Sequence, residues 1–206
     1  MEAAKATENG ALRVEIHTGP YIIFGAVQTR HERLIDVLEN LSSPYLQVEN
    51  AEVQPLKTGT GRNGFRSVGT LMISRKDIRL ALPYENGSVL SSGKAHPQYV
   101  PKYPVPAQLF MDIMEVEGNI YVREGEDALA ATQNMTMPFL AVTHANVRYL
   151  DETLSSPFAA NIAVVNRDFV TLIALRQGPP DRTNSRLEQL LAQSSNLGVR
   201  LARKSK

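Results

Sequence analysis

The chain has 206 residues, which is enough for two units of about 80–90 residues each. Its 43% hydrophobic and 21% charged residues are ordinary for a soluble globular protein, and a net charge of +1 argues against a general polyanion-coating protein. Because cysteine is absent, disulfides, thiolate metal sites and cysteine nucleophiles are excluded, and a reducing cytoplasm is the expected location. The first residues lack a secretory pattern and no apolar run has membrane-helix length, so we expect no membrane insertion.

The first predicted β unit covers residues 12–83, after small and polar residues 1–11 that are predicted to be disordered. Two short strands come first, and the second, Tyr21–Val27, is rich in branched and aromatic residues. The apolar spacing then becomes helical within RHERLIDVLENL, which predicts a helix of about three turns. Pro44 ends this helix, because the residue before a proline is disfavoured in the helical region.

A fifteen-residue stretch occurs twice, as SSPYLQVENAEVQPL at residues 42–56 and as TMPFLAVTHANVRYL at residues 136–150. Six positions are identical, and the polar and apolar positions match almost throughout. In both copies the apolar residues change from even to odd positions, at residues 49–50 and at residues 143–144. A change of face within a strand requires a bulge or a tight turn. The pattern therefore predicts a duplicated β unit with the same kink in each copy.

The rest of the chain follows from this duplication. Five prolines and two glycines lie within residues 83–106, and a semi-rigid linker is predicted over 84–104. The second β unit is predicted over 105–177, with its helix over Glu126–Asn134, and residues 178–206 are predicted to form a C-terminal helix and a basic tail. The predicted fold is mainly β (α+β), with two tandem small barrel-like units of bent strands, one short helix in each, and the C-terminal helix.

The segments YIIFG, ERLIDVLEN, PYLQVENAEV and LMISRKDI together resemble a small bacterial domain of unknown function, here in two copies over about residues 13–82 and 105–175. That resemblance implies no activity and no catalytic residues. The pattern of bent strands is also similar to Sm-like and SH3-like small barrels, in which five bent strands close around a core.

The motifs that carry chemistry elsewhere are incomplete in this sequence. Residues 59–64 match G-x-G-x-x-G, but turn and strand residues follow where a dinucleotide site needs a helix, so a mobile hairpin loop is predicted. The four histidines have no metal-ligand spacing and are expected in turns or at the surface. Carboxylate pairs match structural positions on a strand face and at a helix start. We therefore predict no catalytic residue, no cofactor and no metal site.

Charge is segregated along the chain. Residues 1–56 and 105–155 carry net charges of −4 and −6, whereas residues 57–79 and 181–206 carry +5 and +4. These segments are either solvated faces whose opposite charges cancel by chance or complementary surfaces for head-to-tail contact. A third possibility is that the basic loop and tail bind a polyanion. The candidate residues for binding a partner or polyanion are Lys57, Arg62, Arg66, Arg75, Lys76, Arg200, Arg203 and Lys204.

We expect a non-enzymatic cytoplasmic scaffold or adaptor that acts through protein–protein contacts and associates with itself as a homo-oligomer. The reason is that small barrels present strand edges, which must be paired or covered. The first alternative is a module that binds nucleic acid or a nucleotide through the basic loop and tail, although the scarcity of aromatic residues disfavours base stacking. The second alternative is an enzyme whose site lies in a deep polar cleft between the two units.

Overall fold

The computed structural model describes residues 10–29, 32–40, 42–56, 66–84, 101–151 and 156–176. Within these residues the protein is mainly β, with ten strands and two short helices. The elements in chain order are β1 (Ala11–His17), β2 (Tyr21–Gln28), α1 (Leu34–Glu39), β3 (Tyr45–Pro55), β4 (Arg66–Ser74), β5 (Leu80–Pro83), β6 (Lys102–Met111), β7 (Met114–Arg123), α2 (Ala128–Gln133), β8 (Phe139–Tyr149), β9 (Phe158–Asn166) and β10 (Val170–Leu175). A three-residue 3-10 turn precedes β5 (Arg75–Asp77) and another precedes β10 (Arg167–Phe169).

All ten strands belong to one antiparallel sheet with the order β10-β6-β7-β8-β9-β5-β1-β2-β3-β4. We call strands β1–β5 the first half and strands β6–β10 the second half. The order β5-β1-β2-β3-β4 of the first half is repeated as β10-β6-β7-β8-β9 in the second. The pairing of β5 with β9, which we call the junction, joins the two halves. Strands β4 and β10 are the two edges of the described sheet.

Each half has a cluster of buried apolar residues, and each cluster takes in side chains from the other half. Leu80 and Leu82 of β5 lie in the second-half core. Phe139 of β8 and Val164 of β9 lie in the first-half core. Burying apolar area stabilises by about 25 cal/mol per Å². The halves are therefore held together by shared cores as well as by strand pairing.

The two helices are short and depend on their surroundings, since isolated helices below about 12 residues are marginal in water. Helix α1 buries Leu34, Val37 and Leu38 in the first-half core. Helix α2 begins after Asp127, whose side chain accepts a hydrogen bond of 2.9 Å from the backbone N–H of Ala130. Such a cap satisfies one of the free N–H groups at a helix start. One short helix per half agrees with the sequence prediction, but α1 has six residues and is therefore shorter than the predicted three turns.

The predicted kink is present in both halves. Asn50 in β3 and His144 in β8 both have a φ of 50°, in the left-handed region that non-glycine residues rarely adopt. The pairing of the preceding strand with the kinked one shifts register at Gly25 in the first half and at Gly118 in the second. The change of apolar face along the sequence therefore predicted a real bend at a matching place in both halves.

The predicted closure of each unit into a barrel is wrong for the described strands. A barrel needs the first and last strands of a sheet to pair with each other. That would require β5 to pair with β4 and β10 to pair with β9. Instead, the free side of β5 is occupied by β9 of the other half, so the ten strands form one open sheet.

Some predicted segments lie outside the described residues. They are residues 1–9 of the N-terminus, the glycine motif at 59–64, residues 85–100 of the linker, and the C-terminal helix and tail from residue 177. The linker prediction also included Lys102–Pro104, which begin strand β6. Of the helices in the described part of the chain, none combines the length and the apolar character that crossing a bilayer requires.

We expect Gly25→Ala and Gly118→Ala each to destabilise the fold by about 1–3 kcal/mol, the usual cost of overpacking. A Cβ atom at Gly25 would lie 2.4 Å from Cγ1 of Val48, and one at Gly118 would lie 2.6 Å from Cγ1 of Val142. Urea denaturation measures the change, with exposed Ser67→Ala as the control. Unchanged unfolding midpoints for both glycine variants would contradict this account of the kink.

Candidate functional site

The junction is a short antiparallel pairing. Leu80 lies opposite Val165, and Ala81 lies opposite Val164. All four side chains are buried. Side chains also cross between the halves here, because Leu80 of the first half lies in the second-half core and Val164 of the second half lies in the first-half core. Each half therefore completes the core of the other.

Polar contacts surround this apolar pairing. The buried side chain of Asn166 donates a hydrogen bond of 2.9 Å from Nδ2 to the backbone carbonyl of Ile78. Arg79 forms an ion pair of 2.7 Å with Asp112, and its guanidinium lies 4.3 Å from the centre of the Phe169 ring. A cation over an aromatic face is attracted by the ring electrons. These contacts join the halves in one relative position.

His17 is the second buried polar group at the junction. Its Nδ1 atom hydrogen-bonds to the hydroxyl of Tyr149 in the other half, and its ring stacks on Phe158 with a centroid distance of 6.0 Å. Its Nε2 atom lies 2.8 Å from the Glu15 carboxylate without the alignment of a hydrogen bond. Burial and, secondarily, the charge of Glu15 raise the pKa of Tyr149 well above its usual range. Tyr149 therefore keeps its proton and can donate it to His17. The expectation of turn or surface histidines is wrong for His17.

The two outer edge strands of the described sheet, β10 and β4, correspond to the junction strands β5 and β9, but no described strand pairs with their outer sides. Aligning Arg75 with Arg167 places the strands of the two halves in correspondence, and this alignment matches Met72 with Val164 and Leu172 with Leu80. The strand registers agree, since Ala81 lies opposite Ile16 of β1 and the corresponding Ile173 lies opposite Leu109 of β6.

Corresponding residues differ sharply in exposure. Met72 is 53% exposed, whereas Val164 is 1% exposed; Leu172 is 62% exposed, whereas Leu80 is 0% exposed. Tyr45 at the start of β3 is also half exposed, although its counterpart in β8, Phe139, is buried in the first-half core. The free edges thus carry exposed versions of the side chains that fill the junction.

A groove of about 940 Å³ lies between the halves, next to the junction. Its lining is mostly apolar, and its titratable side chains are Glu15, Arg33, Tyr84 and His144. Burial, with a smaller contribution from Glu15, raises the pKa of Tyr84. His17 is buried beneath the groove wall rather than open to it. The groove can receive a ligand, but its lining differs from the polar cleft that the enzyme alternative requires.

The structure describes three of the predicted binding residues, namely Arg66, Arg75 and Lys76, and these three do not form one basic surface. Arg66 is exposed at the start of β4, and Lys76 is exposed in the 3-10 turn at the other end of that strand. Arg75 is partly buried. The remaining predicted residues lie outside the described residues, and they are Lys57, Arg62, Arg200, Arg203 and Lys204.

Arg75 has a structural role that the sequence pattern did not indicate. Its NH1 group donates hydrogen bonds to the carbonyls of Val37 and Leu38 near the end of α1, at 2.6 and 3.1 Å. Desolvation by burial lowers its pKa. Arg167 donates in the same way to the carbonyls of Met135 and Met137 after α2. Carbonyls at a helix end lack partners within the helix, and Arg75 binds two of them in α1, whereas Arg167 binds carbonyls of the segment that follows α2. The matching polar segments after β4 and β9, SRKD at residues 74–77 and NRD at residues 166–168, were the available signal.

Replacing Arg75 should distinguish this structural role from polyanion binding. We expect Arg75→Met to lower the free energy of unfolding by about 2 kcal/mol, because its charged hydrogen bonds are lost. Lys76→Met, in the same turn but exposed, should change it by less than about 0.5 kcal/mol. Urea denaturation of both variants measures the difference. Equal effects of the two substitutions would contradict the structural role of Arg75.

Tyr149 should make stability depend on alkaline pH. Above about pH 10 the unfolded chain releases the tyrosine proton while folded Tyr149 keeps it, so the free energy of unfolding falls as pH rises. Tyr149→Phe should flatten this fall and, by leaving His17 without its partner, cost about 1–3 kcal/mol at neutral pH. Urea denaturation between pH 7 and 11 measures both effects, with the more exposed Tyr121→Phe as the control. A wild-type slope in the Tyr149 variant would contradict the assignment.

The comparisons with known proteins give no match to any family model, curated protein or solved structure. The resemblance to a small bacterial domain and the likeness to Sm-like and SH3-like barrels therefore stay predictions. What the protein does has to be argued from the geometry of the junction, the free edges and the groove.

Proposed function

We propose that this protein is a non-enzymatic scaffold or adaptor that acts through protein–protein contacts and assembles with itself. The observation that carries this proposal is the pair of free sheet edges with exposed apolar side chains. Met72 and Tyr45 lie at the β4 edge, and Leu172 lies on β10. Unpaired edge strands with exposed apolar residues are templates for pairing with another chain.

The two edges carry few of the features that prevent such pairing. Proteins protect an edge strand with lysine, proline, inward charges or a bulge. Strand β10 reads VTLIAL and has no charge and no proline, although its pairing with β6 is irregular between Val170 and Leu172. In β4 the charged residue is Arg66, at the end of the strand away from Met72. An accessible edge in a folded protein is consistent with a role in assembly.

The repeated unit explains why such edges exist. In each half five strands have the same order, and we propose that each half leaves one edge open where another half attaches. The junction is one such attachment within the chain. Among the described strands, one attachment is then used internally and one edge at each end of the sheet has no partner strand.

The groove supports a second candidate function. Its position between the halves agrees with the alternative of a site shared by both units, and its 940 Å³ volume lies in the range of small-molecule pockets. The polar side chains of Glu15 and His144 line it and can bind polar ligand atoms. A largely apolar lining favours binding over hydrolytic chemistry. A nucleic-acid interface has weaker support, since Arg75 is engaged by the fold.

Light scattering of the purified protein over a range of concentrations tests the proposal. We expect an oligomer at micromolar concentration, and we expect Leu172→Ser to reduce its mass because an apolar contact at the edge is lost. Leu129→Ser is the matched control, since Leu129 is 59% exposed on helix α2, away from both edges. A wild-type protein that stays monomeric at high micromolar concentration would remove the proposal of self-association.

A further inference from the structure

The junction provides a template for how two copies of this chain contact one another. In it, a side chain from each strand enters the core on the far side. Leu80 of β5 enters the second-half core, beside Val165 of β9. Val164 of β9 enters the first-half core, beside Ala81 of β5. The exchange is reciprocal, so each strand needs the other to bury its apolar residue.

The free edges carry both partners of this exchange, one at each end of the sheet. Strand β10 corresponds to β5, and its Leu172 corresponds to Leu80. Strand β4 corresponds to β9, and its Met72 corresponds to Val164. Leu172 and Met72 are exposed in the single chain, while both of their counterparts are buried. The two edges are therefore complementary to each other rather than each to itself.

We infer that copies of this chain join head to tail, with β10 of one copy pairing antiparallel with β4 of the next in the register of the junction. This inference rests on the proposed self-association and specifies the surfaces that it uses. The register places Leu172 opposite Ile73 and Ile173 opposite Met72. Leu172 then enters the first-half core of the next copy, and Met72 packs against the second-half core of the preceding copy. Tyr45 is covered in the same contact, as its counterpart Phe139 is in the junction.

Symmetric pairing of like edges does not bury the same residues. A pair of β4 strands leaves Leu172 exposed on both copies, and a pair of β10 strands leaves Met72 and Tyr45 exposed on both. A head-to-tail contact buries all three at once. Contacts of this kind repeat, so they close into a ring or extend as a filament.

The contact between copies lacks the polar contacts of the junction. The positions that correspond to Arg79 and Asp112 are Thr171 and Gly19, and the position that corresponds to His17 is Phe110. No ion pair or buried histidine is therefore conserved between the two kinds of contact. The position that corresponds to Asn166 is Ser74, which is also polar but shorter. Without the ion pair, the contact between copies depends mainly on backbone pairing and apolar burial, so it is weaker than the junction and insensitive to salt.

Two edge variants test this inference. Leu172→Lys places a charge on the β10 edge and leaves the β4 edge intact, whereas Met72→Lys does the opposite. Both side chains are exposed in the single chain, so the fold should tolerate each substitution, which thermal unfolding checks. Each variant alone should be monomeric, with association at least about 100-fold weaker than wild type, because a lysine would be buried without a partner.

Mixing the two variants gives the decisive measurement. Leu172→Lys supplies an intact β4 edge and Met72→Lys supplies an intact β10 edge, so an equimolar mixture should form a 1:1 heterodimer that grows no further. Native mass spectrometry with one variant labelled with ¹⁵N identifies that species. The double variant Leu172→Lys/Met72→Lys should be monomeric. It should also bind neither single variant, because the intact edge of that variant finds no intact complementary edge on the double variant.

The outcomes separate this inference from the proposed function. A wild-type oligomer together with a 1:1 heterodimer of the two variants supports head-to-tail pairing. A wild-type oligomer in which one variant alone still forms dimers, or in which the mixture stays monomeric, overturns head-to-tail pairing and leaves self-association standing. A monomeric wild-type protein overturns both.

Discussion

The pairing of β5 with β9 is the interaction on which the rest of the structure depends. Strand β5 is only four residues long, and two of them lie opposite β9. So short a pairing stabilises little by its hydrogen bonds, which are worth about 1 kcal/mol each. Its effect comes from what it positions, because it carries Leu80 into one core and brings Val164 into the other. Without it each half would expose an apolar edge, so the pairing turns two incomplete units into one sheet.

The duplication has retained more than an apolar core. Both halves keep the glycine beside the kink, the left-handed residue within the kink, and an arginine that donates to carbonyls at or just after the helix end. These features belong to one local arrangement. The kink bends the strand over the core, the glycine allows the neighbouring strand to approach, and the arginine fixes the helix that covers the end. What differs between the halves is polar and lies at the junction, where His17 and Arg79 have no counterparts of the same type.

The sequence predicted the features that local periodicity determines. The alternation of apolar residues revealed the strands, and its change of face revealed the kinks at Asn50 and His144. The pairing of β5 could not be predicted in this way, because a strand pattern does not say whether its edge is used within the half or across it. His17 appeared as a turn residue, since its partner Tyr149 is 132 residues away. Arg75 appeared as a surface charge because its acceptors are backbone carbonyls, which carry no sequence signal.

The same limit explains why the sequence does not distinguish Met72 and Leu172 as residues of the proposed contact. In the sequence each is one apolar residue in a strand, as a core residue would be. Only the sheet order places them at free edges, and only the comparison with Val164 and Leu80 shows that such positions are buried when a partner strand is present. The polar groups also distinguish the junction from the proposed contact between copies. Arg79, Asn166 and His17 add polar contacts to the junction, whereas the exposed Met72 and Leu172 at the outer edges are apolar. Under the proposed head-to-tail contact, a polar inner junction and an apolar outer contact would make the chain a fixed two-unit building block.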